Sequence, residues 1–356
     1  MRKTINKLFL IITVISALLL TTGCDLFIKT NKGQVDQKWY MGLTYEDDNG
    51  NDTDYTIGTD GTIAAVALED GYGDEFGIIK GEEAYLNINT IIKNIDKRFY
   101  VDATNNLVMF TDATKTYKTK IGGKTINETE NTDYVISFMD GKNCYVNVKF
   151  VKKYVDFDYK VVKAEGKSPA RIVLKYTSGE KNQMTVKSNI EMRTKADYQN
   201  LIVTTLKKNT KVTVLEESGD WTKVGTDDGF MGYVPAKKLK DKETKKTEFK
   251  SDADTYTHVL MNKKISLGWN AITNLTANGN LETIIEHTKG LNVISPTWYS
   301  LSDNKGNLRS YASATYVEKA HSKGLKVWAL VNDFGTQDKA SKEYTKKVLT
   351  DTTKRE

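Results

Sequence analysis

KKISLGWNAI (263–272), LNVISPTWYSLSDNKGNL (291–308) and GLKVWALVNDF (324–334) decide how the carboxyl-terminal part of this chain folds. Each is a short apolar run that ends in polar and aromatic residues. Helical patterns lie between them, at Leu281–Lys289 and Ala312–Lys323. Strands alternating with helices of this length predict βαβ units on a parallel sheet. In such sheets ligands bind outside the carboxyl ends of the strands. Those ends carry Trp269 and Asn270, Trp298 and Tyr299, and Asn332 and Asp333. Flat aromatic faces stack on pyranose rings, and polar tips beside a carboxylate read hydroxyls and amides. These six residues are therefore the expected sugar-binding wall. Trp328, in mid-strand, is expected to pack.

The three segments resemble the start of a family 18 glycoside hydrolase, of the chitinase or spore-cortex-lytic type. The resemblance is carried by ISLGWNAIT, by LNVISPTWYSLSDNKGNL and by HSKGLKVWALVNDF, and spans roughly residues 260–350. It implies a (β/α)8 barrel, a substrate rich in N-acetylated sugars such as peptidoglycan or chitin, and retention of configuration. In that chemistry the substrate's own acetamido oxygen attacks, and one Glu protonates the leaving oxygen. It implies no metal and no cofactor. The family's catalytic string, Asp-x-x-Asp-x-Asp-x-Glu, does not occur in the sequence. No catalytic residue is therefore assigned. A closed barrel takes about 250 residues, so the chain is expected to be the amino-terminal part of a larger enzyme and inactive by itself.

At the other end, Arg2, Lys3 and Lys7 precede an apolar run, Leu8–Leu20, which is short for a membrane span. Thr21-Thr22-Gly23-Cys24 follows and resembles a bacterial lipobox, with Thr21 where that motif usually has Leu. Residues 1–24 are read as a lipoprotein signal peptide, with the Cys24 thiol acylated to hold the protein on the outer membrane face. The alternative is secretion into the wall. Cys144 remains alone, so no internal disulfide is possible, and its place in KNCYVNVKF reads as a small buried residue. The polar stretch Asp25–Lys38 reads as a tether.

Residues 39–165 are β-rich and contain a repeat. EAYLNINTIIKNID (83–96) aligns with NCYVNVKFVKKYVD (143–156), matching Tyr85 with Tyr145 and Asn87 with Asn147. Each copy predicts a strand, an Asn helix cap, a short helix and another strand. The pattern resembles the module named for the copper amine oxidase amino-terminal domain. No copper is implied, because a copper site wants clustered His and the three histidines of the chain are scattered at 258, 287 and 321.

Residues 184–239 are short alternating runs joined by polar turns, and resemble a bacterial SH3 domain. Met192-Arg193, Lys211–Leu215, Trp221-Thr-Lys-Val224 and Gly229-Phe-Met-Gly-Tyr-Val-Pro-Ala236 carry the resemblance. Such modules bind wall peptides, which makes Tyr198, Trp221 and Tyr233 candidates for a peptide groove. A competing reading makes Trp221 and Tyr233 core aromatics, and it is the stronger expectation, because a small domain must bury its few large side chains. Residues 240–258, charged and without apolar periodicity, read as a linker to the partial barrel at 259–356.

The net charge of +6 is modest and the lysines are interspersed with acids, so neither composition nor motif points to nucleic acid. The expected architecture is thus multi-domain: a β-rich α+β repeat module, an SH3-like barrel, and the first three βα units of a (β/α)8 barrel. The expected partners are peptidoglycan or a chitin-like polysaccharide, and the membrane through a lipid anchor. Two functions follow: a cell-envelope glycoside hydrolase, or a non-catalytic wall-binding lipoprotein acting through the SH3-like module.

Overall fold

The two repeats pair with each other. In the computed structural model, which describes residues 30–112, 115–250, 262–333 and 339–355, strands Glu83–Asn87 and Asn143–Asn147 lie antiparallel. Asn87 faces Tyr145, Leu86 faces Val146, and Tyr85 faces Asn147, so a local two-fold axis passes through the Leu86–Val146 pair. Each Asn caps the helix that follows its strand. Asn87 Oδ1 accepts the Asn89 N–H at 2.9 Å, and Asn147 Oδ1 accepts the Lys149 N–H at 2.8 Å. The first helix begins at Ile88–Thr90 and passes into a wider turn over Ile91–Ile95; the second is Val148–Lys152. A capping Asn is worth about 1 kcal/mol, which helps helices this short to persist.

These strands are the second and third of a seven-stranded sheet. Its order is Ser137–Asp140, Asn143–Asn147, Glu83–Asn87, Gly77–Lys80, Thr62–Ala67, Ala170–Lys175, Asp158–Val162. All neighbours are antiparallel except Ala170–Lys175, which lies parallel to Thr62–Ala67. Alternation then separates two faces. Leu86 and Val146 are buried on one, while Tyr85 and Tyr145 are buried on the other.

A second seven-stranded sheet runs Ile202–Leu206, Ile190–Arg193, Met231–Pro235, Trp221–Gly225, Lys211–Ser218, Gly179–Val186, Leu239–Thr247. It forms one compact unit with the first. Tyr85, Tyr145, Ile78 and Phe76 of the repeat region share a single apolar cluster with Val186, Met192, Val224, Val234 and Leu239. The joint is also polar. The Tyr72 hydroxyl donates to the Gly229 carbonyl at 3.0 Å, and the Arg171 Nε donates to the Asp228 carbonyl at 2.6 Å. The repeat region and the SH3-like region, read from sequence as successive modules, therefore fold around one core.

Two stretches read as connectors are structural. The expected linker is a strand as far as Thr247, paired antiparallel with Gly179–Val186, where Glu180 lies opposite Lys246. It lacks apolar periodicity because it is a solvated sheet edge, and charged residues on an edge discourage pairing with other chains. The described part of the expected tether is docked. The Val35 N–H donates to the Ile202 carbonyl and the Ile202 N–H to the Gly33 carbonyl, both at 2.9 Å. This backbone pairing places Val35 in the shared core. The Cys144 thiol is buried, and burial pushes its pKa up to about 12.

The second compact unit comprises residues 100–120 and 254–356. Its strands Leu267–Asn270, Val293–Pro296 and Lys326–Val327 are parallel and lie in sequence order. Helix Leu281–Glu286 separates the first two strands, and Ala314–Ser322 separates the last two. One apolar cluster gathers Leu281 of the first helix, Tyr316 and Ala320 of the second, and Ile294 of the central strand, so both helices cover the same face of the sheet. The chain as a whole is β-rich, with several sheets and few helices.

The same unit holds a buried acidic node. Asp102 Oδ2 accepts the Thr352 N–H at 2.7 Å, and Asn105 Nδ2 bridges Asp102 at 2.9 Å and Asp351 at 2.8 Å. Burial works to raise the Asp102 pKa, but the donors Thr352 and Asn105 outweigh it and hold the carboxyl far below the usual range. A carboxyl depressed in the folded state stabilises above its unfolded value, near 4, and that contribution is lost as pH falls through and below it. Thermal midpoints taken from about pH 6 to about pH 2 should therefore fall less steeply in Asp102→Asn than in the wild type, from a lower starting value. Equal acid slopes would mean that the node contributes nothing.

Candidate functional site

On the outer face of the second sheet, strand Trp221–Gly225 buries Thr222 and Val224 and turns Trp221 and Lys223 outward. Trp221 pairs with Pro235 and Lys223 with Tyr233, so these four side chains share one face. The loop before Ile202 brings Tyr198 over this face. Its ring meets Trp221 edge-on, with centroids 4.8 Å apart and planes at 64°. Asp197 shapes the loop by accepting the Gln199 N–H at 2.9 Å. Beside the pair is an open groove of about 350 Å³ lined by Tyr198, Arg193, Glu191, Ile190, Pro235 and Lys238 among others.

The stronger expectation for Trp221 and Tyr233, as core aromatics, does not hold. Both are half-buried and stand outside the apolar cluster, to which the SH3 domain contributes Met192, Val203, Leu206, Val212, Val224, Phe230, Val234 and Leu239. Phe230 is the aromatic that the SH3 domain places in the core. Tyr198 and Trp221 come together; of the three, Tyr198 lines the groove, while Trp221 stands beside it and Tyr233 shares their face outside it.

Arg193 was quoted in the sequence match without a role, and the structure gives it one. Its side chain is 1% exposed although its partner Tyr233 faces outward. Nη1 donates to the carbonyls of Asn31 at 2.9 Å and Asn200 at 2.6 Å, and Nη2 pairs with Glu191. The guanidinium carbon lies 5.8 Å from the Tyr198 ring centroid. Arg193 thus fixes the loop that presents Tyr198. Nothing local in the sequence signals this, because two of its three partners come from distant or irregular chain.

The second unit sorts the expected sugar-binding residues differently. Trp269 is 77% exposed on the sheet face away from the helices. Asn270, the next residue, points the opposite way: it is 4% exposed, and its Nδ2 donates to the Tyr316 hydroxyl at 2.9 Å. Trp298 is likewise on the helix side. It packs edge-on against Tyr316 with centroids 5.1 Å apart, and its Nε1 donates to Asn278 Oδ1 at 2.8 Å. Tyr299 packs half-buried against the same cluster. Asn332 Oδ1 accepts from the Ser300 hydroxyl at 3.2 Å, and Asp333, exposed, accepts from the Thr345 hydroxyl at 3.0 Å.

The face away from the helices holds a different pair, beside buried Val293 and Ser295. Trp269 lies opposite Ser295, and Ile294 lies opposite Val327, which places Ser295 beside Trp328. Trp269 and Trp328 therefore flank Ser295 in one row, and Trp328, expected to be packed, is 40% exposed. Among the described residues no group of three or more His, Cys, Asp or Glu could hold a metal. Cys24 lies outside the described residues.

The groove belongs to a known kind of module. Residues 188–240 match the bacterial SH3 domain. No curated protein and no solved structure matches the chain. The matched span begins just after strand Gly179–Val186 and ends at Lys240, so the domain contributes five of the seven strands of the second sheet in full.

Proposed function

We propose that this chain is the wall-binding portion of a cell-envelope glycoside hydrolase acting on N-acetylglucosamine-containing polymer. Its SH3 domain grips peptidoglycan through the Tyr198–Trp221 groove, and residues 259–356 begin a family 18 barrel. The observation that carries the binding part is the edge-to-face contact of Tyr198 with the half-buried Trp221, both outside the apolar core. Aromatic rings left at a groove mark an interaction surface.

The barrel part is supported by strand order. Three parallel strands in sequence order, with both connecting helices on one face, describe a sheet that winds in a single direction, as a (β/α)8 barrel does. A doubly wound sheet reverses direction and covers both faces. The face away from the helices, which carries Trp269 and Trp328, is then the barrel interior, where sugar rings would stack. The chemistry of such a barrel is the substrate-assisted displacement described above, and the residues described here supply only its binding wall. Cys24 in a lipobox-like setting supports a location on the outer face of the membrane; recovery of the native protein in the cytoplasmic fraction would overturn that reading.

The test is retention on insoluble peptidoglycan. Trp221→Ala is expected to weaken retention of the full chain about tenfold, the loss usual for an aromatic anchor, while its circular dichroism stays that of the wild type. Retention unchanged in both Trp221→Ala and Tyr198→Ala would rule out the groove. A chain retained on chitin through Trp269 and not on peptidoglycan through Trp221 would favour the hydrolase barrel alone as the binding element.

A further inference from the structure

The groove has one wall that does not come from the SH3 domain. The segment Asn31–Val35 runs beside strand Ile202–Leu206 with Gln34 bridged in parallel to Ile202. Its backbone is held at both ends: the Asn31 N–H donates to the Tyr198 carbonyl and the Val35 N–H to the Ile202 carbonyl, each at 2.9 Å. Asn31 Nδ2 also reaches the Gln199 carbonyl at 3.1 Å, and Gln37 Nε2 the Val203 carbonyl at 2.8 Å. A methyl group at Gly33 would lie 3.0 Å from Leu201 Cδ2, so the strap fits closely. Lys32, between these anchors, lines the groove with Tyr198 and Pro235.

The charges of the groove are unbalanced. Arg193, Lys32 and Lys238 line it against one carboxylate, Glu191, an excess of two positive charges. Arg193 is committed to carbonyls and to Glu191. Lys238 has no ion-pair partner among the described residues. Lys32 is 75% exposed and reaches Glu191 only at 3.4 Å. An exposed pair of this kind contributes little and is easily exchanged for a better partner. A carboxylate entering beside Tyr198 would meet Lys238 directly and Lys32 by exchange with Glu191.

We propose that the strap completes the ligand groove of the SH3 domain, and that Lys32, with Lys238, makes the groove select peptides bearing a free carboxylate. The inference rests on the groove being the peptidoglycan-binding surface. The ligand is a short wall peptide with its side-chain or terminal carboxylate toward Lys32 and its apolar part on Tyr198 and Trp221. Lys32 is a specificity residue supplied from outside residues 188–240, and it would be missed in any domain cut at those bounds.

The test uses the full chain and insoluble peptidoglycan in two forms, native and with its carboxyls amidated. Wild type is expected to bind the native form about fivefold more tightly, the size of one partly exposed charge pair. Lys32→Gln should abolish most of that preference, and Glu191→Gln, which removes the only opposing carboxylate, should enlarge it. Added salt should erode it. Equal wild-type retention on both forms, or a preference that survives in Lys32→Gln, overturns the inference. Loss of retention altogether, or retention indifferent to Trp221→Ala, overturns instead the proposed function on which it rests. Retention that depends on Trp221 but not on Lys32 leaves that function standing and removes only the role of the strap.

Discussion

Arg171→Ala should destabilise the first compact unit by about 4 kcal/mol, close to the whole stability of many domains. Arg171 sits on the penultimate strand of the first sheet, Ala170–Lys175, with its side chain 4% exposed. Nε donates to the Asp228 carbonyl at 2.6 Å, and Nη1 donates to the Pro169 carbonyl and the Ser168 hydroxyl, each at 2.9 Å. Its guanidinium carbon stands 4.2 Å from the Phe230 ring centroid. Alanine would leave the Asp228 and Pro169 carbonyls without this donor and remove the packing over Phe230. An unpaired buried polar group costs about 1–3 kcal/mol, and two of them with the lost ring contact make up the figure. Lysine should not rescue, because one ammonium cannot span donors fixed by a planar fork. Because Asp228 and Phe230 belong to the SH3 domain and Arg171 does not, the same substitution tests the shared core. Urea curves followed at Trp39 and at Trp221 should shift together in the variant. A loss under about 1 kcal/mol, or a shift at Trp39 alone, would show that the two sheets are stabilised separately.

The sequence made some of this legible and concealed the rest, for physical reasons. The repeat could be read because each copy carries its own local instructions: an alternating strand, then an Asn whose side chain caps the next helix. That the copies pair about an axis through Leu86 and Val146 could not be read, since register between distant strands is a tertiary matter. The parallel strands announced themselves as apolar runs at 267–270 and 293–296. Which residue of each run faces the open side did not, because parity decides it: Trp269 is out, so Asn270 is in. The same parity carries past Pro296: Trp298, an even step from Ile294, also turns to the helices. At the candidate groove, Tyr198 and Trp221 were found from their type and setting. Arg193, Glu191 and Lys32 were not, because the strap that unites them comes from chain more than 150 residues away in sequence. The edge strand Leu239–Thr247 was mistaken for a linker because an edge exposed to water carries no apolar signal. Its only cue is cross-strand charge, as in Glu180 opposite Lys246.

Gly232→Ala should cost about 3 kcal/mol, the upper part of the range for overpacking a core. Gly232 lies in the run Gly-Phe-Met-Gly-Tyr-Val that carries the SH3 match, on the interior strand Met231–Pro235. A methyl group there would lie 2.6 Å from the Arg193 carbonyl oxygen and 2.7 Å from Met192 Cγ. The carbonyl belongs to a neighbouring strand whose side chain is pinned by Asn31, Asn200 and Glu191, so it cannot give way without disturbing the loop that presents Tyr198. The backbone of Gly232 needs no special conformation; the constraint is close approach of two strands. Two other glycines separate this cause from the alternatives. At Gly229 φ is +86°, and a methyl group would meet Val173 Cγ2 at 2.9 Å, so Gly229→Ala combines backbone strain with crowding and should also destabilise. At Gly225 the nearest atom would be Leu215 Cδ1 at 3.5 Å, an ordinary contact, and Gly225→Ala should be neutral or slightly stabilising through the unfolded chain. Urea midpoints of the three variants decide the matter. If Gly232→Ala proves as mild as Gly225→Ala, the strands separate more easily than their packing indicates. If it is severe, peptidoglycan retention should fall with it even where the fold survives, because the displaced Arg193 carbonyl belongs to the residue that holds Tyr198 over the groove.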